Sequence, residues 1–250
     1  MNDYYISLTT IPSRMGNIKR VITSLCNQVL KPKKIYIHIP NQYRRFPDQV
    51  INIPNMSEYK DMVVINRCHD YGSSTKFLPM MLIEDVKATD NIIIVDDDHE
   101  YDSLLSAKLL DLIERYPDSA SCMFGVTNAL YFLDRSWNIN SNTQKVQPAG
   151  FRGYKEGYID VFEGFGGVCL QKRFFTDDVL VFPLGDVYAH DDIWFSVQII
   201  KNGYRIVVAG DSVANIPYQD KIDALCLDEH TYTKSRNLIS YIQEHYKLYL

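Results

Sequence analysis

A short, continuous apolar run leads directly into three aspartates, and this junction constrains the fold more than any other feature of the chain. The run covers 91–95 and is mostly β-branched, which is typical of a central parallel strand covered on both faces. Asp96, Asp97 and Asp98 follow at its carboxyl end. In open α/β sheets, ligands bind just beyond the carboxyl ends of the strands. The sequence therefore predicts a buried sheet with an acidic binding site at its edge.

Strands and helices are predicted to alternate along the chain. Apolar runs and alternation indicate strands at 4–8, 34–39, 62–65, 91–95, 121–126, 168–170 and 204–209. Helical spacing of apolar residues indicates helices at 18–29, 78–86, 105–113, 191–201 and 238–246. This alternation is typical of an α/β fold with an open, mostly parallel, Rossmann-like sheet flanked by helices on both faces.

Composition is that of an ordinary globular protein and excludes several functions. Of the 250 residues, 46% are hydrophobic, enough for a sizeable core without disulfides or a structural metal. The net charge of −5 argues against a broad nucleic-acid surface. The five cysteines are scattered without a CxxC pair, as is typical of reduced cysteines. Because neither a signal-peptide pattern nor a transmembrane apolar run is present, the sequence predicts a cytoplasmic protein.

Three adjacent carboxylates repel one another unless something neutralises them. Mg²⁺ or Mn²⁺ resolves this conflict, because these ions bind carboxylate oxygens together with phosphate oxygens and water. Since side chains alternate along an extended chain, we expect Asp96 and Asp98 on one face and Asp97 on another. The alternative is a solvated acidic turn that caps the next element. An EF-hand loop is excluded, because Tyr101 and Ala107 stand where that loop needs Gly and Glu.

Two other predicted strands also end in polar segments. The first strand leads into Thr9, Thr10 and Arg14, and the planar guanidinium of Arg14 suits a phosphate group. The third strand leads into the polar segment 70–76, which ends in Lys76. Taken alone, Arg14 also fits a surface position that opens a helix, and Lys76 also fits a solvated loop.

Two later segments complete the pattern. The segment 162–167 contains three glycines, which let a backbone approach a ligand closely but also suit an ordinary turn before a strand. Asp191 and Asp192 open a predicted helix. A carboxylate there could take the proton of an attacking hydroxyl. The alternative is that the two aspartates cap the helix and complement its dipole.

Taken in order, these segments resemble those of GT-A-fold glycosyltransferases, and most of all small family-2-like enzymes of bacteria and large viruses. The likeness extends over about 4–205, most of the chain. It implies a nucleotide-sugar donor, usually a UDP-sugar, a glycan or other hydroxyl acceptor, and Mn²⁺ or Mg²⁺. It also implies one GT-A-like domain over 1–250, with a nucleotide-binding half at about 1–126 and an acceptor-binding half, including a C-terminal helix, at about 127–250. A viral protein made in the host cytoplasm is compatible with this resemblance.

The resemblance gives each matching residue a role. Contacts with the nucleotide sugar fall to residues of three loops: Thr9, Thr10, Arg14, Asp70, Lys76, Asp96 and Asp97. Within this set, Lys76 would neutralise the diphosphate, Asp70 would meet the base and Asp96 the ribose. The metal would bind Asp98 and Asp96, with His230 as a further ligand because it lies beyond the acidic pair.

The same resemblance implies the catalytic and acceptor-binding residues. Asp192 would be the catalytic base of an inverting transfer, and Asp191 stands where the family usually has Glu. Which of the two aspartates acts stays open at this point. Gly166, Gly167 and Trp194 would contact the acceptor.

Two alternatives to a glycosyltransferase remain. A nucleotidyltransferase has a related sheet and acidic metal ligands, but it needs a Gly-rich signature after the first strand, and 9–14 contains no glycine. A non-catalytic sugar- or nucleotide-binding module would have a degenerate site. Because Lys76, the aspartates at 96–98 and those at 191–192 are all present, the transferase is the favoured hypothesis.

Overall fold

One mixed sheet of eight strands organises the part of the chain that the structure describes. The computed structural model describes residues 3–49, 51–127, 148–149, 155–181, 190–211, 216–217, 223, 225 and 229–248. Its strands are β1 (Tyr4–Thr9), β2 (Lys34–Pro40), β3 (Val63–Cys68), β4 (Asn91–Ile94), β5 (His99–Glu100), β6 (Ser119–Cys122), β7 (Gly125–Val126), β8 (Pro148–Ala149), β9 (Gly157–Ile159), β10 (Val161–Phe162), β11 (Val168–Leu170), β12 (Arg205–Val208) and β13 (Ile216–Pro217). Its α-helices are α1 (Ile18–Cys26), α2 (Leu78–Met81), α3 (Leu105–Arg115), α4 (Asp191–Lys201) and α5 (Glu229–Tyr246).

The sheet is mostly parallel, as the sequence predicts. Its strand order is β3-β2-β1-β4-β11-β6-β12-β9. The strands β3, β2, β1 and β4 run parallel to one another, and β12 runs parallel to β6. In contrast, β11 is antiparallel to both of its neighbours, and β9 is antiparallel to β12. The carboxyl ends of the first four strands therefore share one edge of the sheet.

Helices cover both faces of the sheet, and this explains why the chain is apolar from Ile92 to Val95. Ile92 and Ile94 pack with α2, α4 and α5 on one face, while Ile93 and Val95 pack with α1 and α3 on the other. All four side chains are fully buried. Because successive side chains of a strand point to opposite faces, a strand covered on both sides buries every residue. Across the described residues, no helix has both the length and the hydropathy needed to cross a membrane.

Two elements differ from the sequence prediction, the first helix and the strand predicted at 121–126, because their backbone groups form other hydrogen bonds. α1 ends at Cys26 rather than at 29, and the N–H of Val29 donates instead to the carbonyl of Ser103 at 2.8 Å. The strand predicted at 121–126 is divided into β6 and β7. β6 pairs with β11 and β12 in the large sheet, whereas β7 pairs with β10 and β8 in a small second sheet.

The helix predicted at 78–86 is a single turn, α2. In a longer helix, the N–H of Lys87 would donate to the carbonyl of Ile83. Instead, the N–H of Lys87 donates to the carboxylate of Asp90 at 2.9 Å, and the carbonyl of Ile83 accepts from Nζ of Lys172 at 2.6 Å. The α-helix ends earlier, at Met81, because the N–H groups of Leu82 and Ile83 donate to carbonyls three residues back, those of Pro79 at 3.1 Å and Met80 at 3.3 Å.

Candidate active site

The segments predicted to face a ligand lie together at the carboxyl edge of the parallel strands. Residues 96–98, here called the acidic turn, follow β4, and the segment that carries Arg14 follows the adjacent strand β1. The 3-10 turn Gly72–Lys76 follows β3 and folds back over β1. There, the carbonyl of Lys76 accepts a hydrogen bond from the Ser7 hydroxyl at 2.5 Å. The three segments therefore lie at one edge of the sheet.

Lys76 joins the acidic turn to the two aspartates that open α4, here called the acidic pair. Its Nζ lies 2.8 Å from Oδ1 of Asp96 and 2.9 Å from Oδ2 of Asp191. The side chain is 5% exposed. Burial alone would lower the pKa of Lys76, but Asp191, Asp96 and Asp192 hold it well above its ordinary value. Lys76 is therefore a fixed positive charge at the centre of the site.

Asp192 lies beside this ion pair and keeps one oxygen uncommitted. Its Oδ2 accepts the backbone N–H of Gly164 at 3.0 Å. Its Oδ1 is closed off from solvent and accepts no hydrogen bond from the described residues. Burial and the charge of Asp191 raise the pKa of Asp192 well above its ordinary value, although Lys76 opposes the shift. A carboxylate with a raised pKa and a free oxygen is suited to accept a proton.

Arg14 holds the other two carboxylates of the acidic turn. Its Nη1 lies 2.8 Å from Oδ1 of Asp97 and 3.2 Å from Oδ2 of Asp98. Asp97 is buried, and burial raises its pKa even though Arg14 acts in the opposite direction. In Asp98, burial is outweighed by His99 and Arg14, which keep its pKa below the ordinary value. Asp98 is thus ionised and already paired.

The alternation predicted for the three aspartates is wrong. Asp97 and Asp98 share Arg14, whereas Asp96 turns to Lys76. β4 ends before the acidic turn, so these residues are not part of a strand. Side chains alternate between faces only where the backbone is extended.

Thr9, Thr10 and Asp70, predicted to meet the nucleotide, lie in the loops of the same edge. Oγ1 of Thr9 donates to the carbonyl of His38 at 2.8 Å. Thr10 is buried, at 1% exposure. Asp70 accepts two backbone N–H groups, at 2.7 and 2.8 Å. The hydrogen bonds of Thr9 and Asp70 fix the loops around the site, and the nucleotide contacts of all three residues stay predictions.

Gly164 belongs to the site, although no sequence signal separates it from the other glycines of its loop. A Cβ at this position would lie 2.7 Å from Oδ1 of Asp192 and 2.8 Å from Nζ of Lys76. Both distances are shorter than real Cβ contacts. The backbone can therefore approach the two charged groups only because residue 164 has no side chain.

Gly166 and Gly167 serve the packing of the same loop. A Cβ on Gly166 would overlap the ring of Phe124, and Gly167 has a φ of +93° and lies against Leu105. These contacts account for both glycines without an acceptor molecule. Their predicted role in acceptor binding stays a prediction.

Tyr101 is a second site residue that sequence reasoning missed. Its hydroxyl accepts the N–H of Asp96 at 2.8 Å and lies 3.2 Å from the carbonyl of Phe165. The side chain is buried. Tyr101 thereby links the acidic turn to the glycine loop. A tyrosine shortly after an acidic run has no recognisable pattern, so this link is visible only in the fold.

Trp194 and His230 are the remaining predicted site residues. Trp194 is 1% exposed, and its Nε1 donates to the carbonyl of Val179 in the core at 3.1 Å. Because a buried indole cannot contact an acceptor, the role predicted for Trp194 is wrong. His230 lies in the first turn of α5, but its side chain is outside the described residues.

The site carries more negative than positive charge. The five aspartates of the acidic turn and the acidic pair gather around Lys76 and Arg14. Within the described ranges, no three His, Cys, Asp or Glu side chains are grouped as ligands around one point. The side chains of Asp96 and Asp98 are nevertheless 32% and 28% exposed. Surplus negative charge on accessible oxygen atoms fits a hard divalent cation.

Gly164→Ala is expected to lower the melting temperature by about 2–12 °C, because overpacking costs about 1–3 kcal/mol. The added methyl group must displace Asp192, Lys76 or the loop backbone. Gly157→Ala is the matched control, since a Cβ there meets no atom within 4 Å. Thermal denaturation of both variants checks the prediction, and equal melting temperatures would show that the close approach at Gly164 does not constrain the site.

Comparison with family models and with curated proteins finds no match in sequence. Comparison with solved structures finds the fold of TarS from S. aureus. The crystal structure of TarS 1-349 in complex with UDP-GlcNAc has a TM-score of 0.62 at 12% identity, covering 96% of this chain and 66% of that one. TarS 1-349 in complex with UDP gives 0.56 at 10% identity, over 96% and 71%. The crystal structure of S. aureus TarS has a TM-score of 0.60 at 9% identity, covering 97% of this chain and 40% of that one.

The likeness to TarS concerns the fold, because the sequences are at most 12% identical in these comparisons. The chain spans about two thirds of TarS 1-349. The mostly parallel eight-stranded sheet with its flanking helices therefore has the GT-A-type fold that the sequence predicts.

Proposed function

We propose that the chain is a glycosyltransferase that moves a sugar from a nucleotide-sugar donor to a hydroxyl of a glycan or other acceptor. The observation that carries this proposal is the position of Lys76 between Asp96 and Asp191. Two acidic segments, distant in sequence, meet on one ammonium group at the edge where open α/β sheets bind ligands. The site thus combines a cation for phosphate with carboxylates for a metal and for a proton.

A UDP-sugar is the proposed donor. TarS, whose fold is similar, has been crystallised with UDP-GlcNAc and with UDP. Arg14 and Lys76 place positive charge at the same edge of the sheet, and the guanidinium fork suits phosphate oxygens. A nucleoside diphosphate gains negative charge as it departs, so cations fixed in advance stabilise the transition state.

Mn²⁺ or Mg²⁺ is the proposed cofactor, held by Asp98 and Asp96, with His230 as a further candidate ligand. When bound, such an ion supplies charge neutralisation for the diphosphate. Asp98 currently accepts hydrogen bonds from Arg14 and pairs with His99. A carboxylate has about four acceptor positions, so Asp98 keeps acceptor capacity for an ion beside these two partners.

Asp192 is the proposed catalytic base. The acceptor oxygen bonds to the anomeric carbon as the bond from that carbon to the diphosphate breaks, and the hydroxyl proton passes to the carboxylate of Asp192. Its raised pKa makes the carboxylate a stronger base than an ordinary aspartate. Asp191 is less suited, because its Oδ2 is already paired with the Lys76 ammonium at 2.9 Å. Direct displacement of this kind inverts the anomeric centre.

UDP is expected to stabilise the protein in a metal-dependent way. A ligand at a hundred times its Kd adds about 2.7 kcal/mol, which raises the melting temperature of a domain of this size by about 5–10 °C. The measurement is a thermal shift with UDP, GDP and ATP, each with and without Mn²⁺. Stabilisation by UDP or GDP but not by ATP supports the proposal, and no shift with any nucleoside diphosphate would overturn it.

Product analysis separates the transferase from the two alternatives. A glycosyltransferase incubated with a UDP-sugar and an acceptor releases UDP. A nucleotidyltransferase instead releases pyrophosphate from a nucleoside triphosphate, and a binding module releases neither. Pyrophosphate release without UDP release would replace the proposed function by the nucleotidyltransferase.

A further inference from the structure

A buried histidine lies behind Lys76, in the middle of the parallel strands. His38 of β2 and Ser7 of β1 are both fully buried. Burial lowers the pKa of His38 to about 3, so its imidazole is neutral near pH 7. A neutral imidazole has one N–H donor and one acceptor nitrogen, and in a protein core both normally find partners.

The hydrogen bonds of His38 run in one direction. The Ser7 hydroxyl donates its single hydrogen to the carbonyl of Lys76 at 2.5 Å, so Ser7 must accept in its other contact. That contact is with Nε2 of His38 at 2.9 Å, which therefore carries the hydrogen. Nδ1 of His38 is then the acceptor, and it receives a hydrogen bond from the amide of Asn66 on β3 at 2.9 Å. The three hydrogen bonds, from Asn66 to His38, from His38 to Ser7 and from Ser7 to the Lys76 carbonyl, therefore all point in the same direction.

We propose that this chain of hydrogen bonds, here called the Lys76 tether (Asn66, His38, Ser7 and the Lys76 carbonyl), positions the Lys76 ammonium in the active site. His38 and Ser7 would be positioning residues, since they act through Lys76 and do not touch the substrate. The inference rests on the proposed function for the part that Lys76 plays in catalysis.

The position of the Lys76 ammonium depends on the position of the Lys76 backbone. The backbone is fixed at one end of the side chain, and the ammonium is ion-paired at the other. Lys76 is the last residue of a short 3-10 turn, and the tether fixes its carbonyl to the central strand β1. At the other end, its Nζ must meet Asp96 and Asp191 within 2.9 Å. A displacement of about 1 Å at a catalytic group can cost about 10²-fold in rate. Loss of the tether would therefore displace the ammonium and lower the rate.

Two substitutions of His38 separate positioning from simple packing. His38→Gln keeps an N–H donor near the place of Nε2, whereas His38→Met fills a similar volume without a donor. The first readout is nuclear magnetic resonance of the Lys76 ammonium, because a buried, paired NH₃⁺ exchanges its hydrogens slowly. We expect the signal in the wild type and in His38→Gln and its loss in His38→Met. An unchanged signal in His38→Met would overturn the proposal.

Ser7→Ala tests the tether without changing the histidine. It should remove the Lys76 signal and lower kcat by about 10²-fold, while KM for the UDP-sugar changes little. Combined with His38→Met, it should cause no further loss, since both substitutions break the same chain. If His38→Met does not fold, Ser7→Ala alone decides, and a normal Lys76 signal in that variant would refute the tether.

The two readouts keep this inference apart from the proposed function. The ammonium signal does not depend on turnover. If the variants alter it as expected while the wild type releases no UDP from any UDP-sugar, the tether stands and the proposed function fails. If the wild type is active and the signal is the same in all variants, the tether fails and the proposed function stands.

Discussion

Replacing Lys76 with methionine is expected to lower the melting temperature by about 6–20 °C and to abolish sugar transfer. Methionine keeps the length of the side chain but removes the cation that Asp96 and Asp191 contact at 2.8 and 2.9 Å. Removing one partner of a buried ion pair costs about 3–5 kcal/mol. The charge of Lys76 also attracts Asp192, so the substitution removes the neutralising charge from three carboxylates at once.

The deficit of Lys76→Met should shrink as the pH falls. Lys76 itself stays protonated, because the neighbouring aspartates hold its pKa well above the ordinary value. In the variant, the carboxylates left without a cation take up protons more readily, and protonation removes their mutual repulsion. Thermal denaturation at mildly acidic and mildly alkaline pH should therefore show the larger difference from the wild type on the alkaline side.

Lys60→Met is the matched control for this experiment, because Lys60 is exposed. Surface substitutions of this kind change stability by about 0.5 kcal/mol or less. If Lys76→Met and Lys60→Met melt at the same temperature, the central ion pairs do not stabilise the fold, and Lys76 loses its place as the organising charge of the site.

The sheet and its ligand-binding edge could be predicted because burial on both faces leaves a direct trace in the sequence. In the run 91–95 the four residues after Asn91 had to be apolar, and such a strand can carry its aspartates only at an end. The same reasoning placed Arg14 and Lys76 at the ends of two other strands. In consequence, the sequence sufficed to bring the principal charged residues to one edge.

The pairing of those charges could not be predicted, because it depends on loop conformations. Nothing local decides that Arg14 meets Asp97 and Asp98 while Asp96 meets Lys76. Strand alternation gave the wrong answer there because the backbone has already left the strand.

The prediction that Trp194 contacts the acceptor is wrong for a geometric reason that could have been read from the sequence. It follows Asp192 by two residues in α4, and two residues of a helix are about 200° apart around its axis. When Asp192 faces the site, Trp194 therefore faces the opposite side, into the core. Gly164 differs, since only the folded loop shows which of its glycines touches the charged groups.

Asp192→Asn is expected to make the protein more stable and nearly inactive. Loss of a general base lowers the rate by about 10²–10⁴-fold. The carboxylate has a buried oxygen that accepts no hydrogen bond from the part of the chain that the structure describes, and its pKa is raised by burial and by Asp191. Because burial disfavours the charged form of this group, its neutral replacement should be more stable, and each kcal/mol gained raises the melting temperature by about 2–4 °C. The amide oxygen of asparagine can still accept the N–H of Gly164.

The sign of the pH dependence follows from the raised pKa of Asp192. A group whose pKa is higher in the folded than in the unfolded protein contributes stability while it is protonated, and this contribution is lost as the pH rises through the folded pKa. Asp192→Asn should therefore gain most over the wild type above that pKa and gain nothing at low pH. The activity of the wild type should rise over the same interval, because the base must be ionised to accept a proton.

Asp191→Asn is the control that makes this prediction specific. It makes the same substitution at the neighbouring aspartate, whose carboxylate is paired with Lys76. Asp191 faces the Lys76 ammonium, so its neutralisation removes a favourable ion pair and should lower the melting temperature. Opposite shifts for the two variants, with the larger loss of turnover in Asp192→Asn, would assign the base to Asp192. If Asp192→Asn keeps near-normal turnover while Asp191→Asn loses it, the base is Asp191, and the ion pair with Lys76 must open during each catalytic cycle.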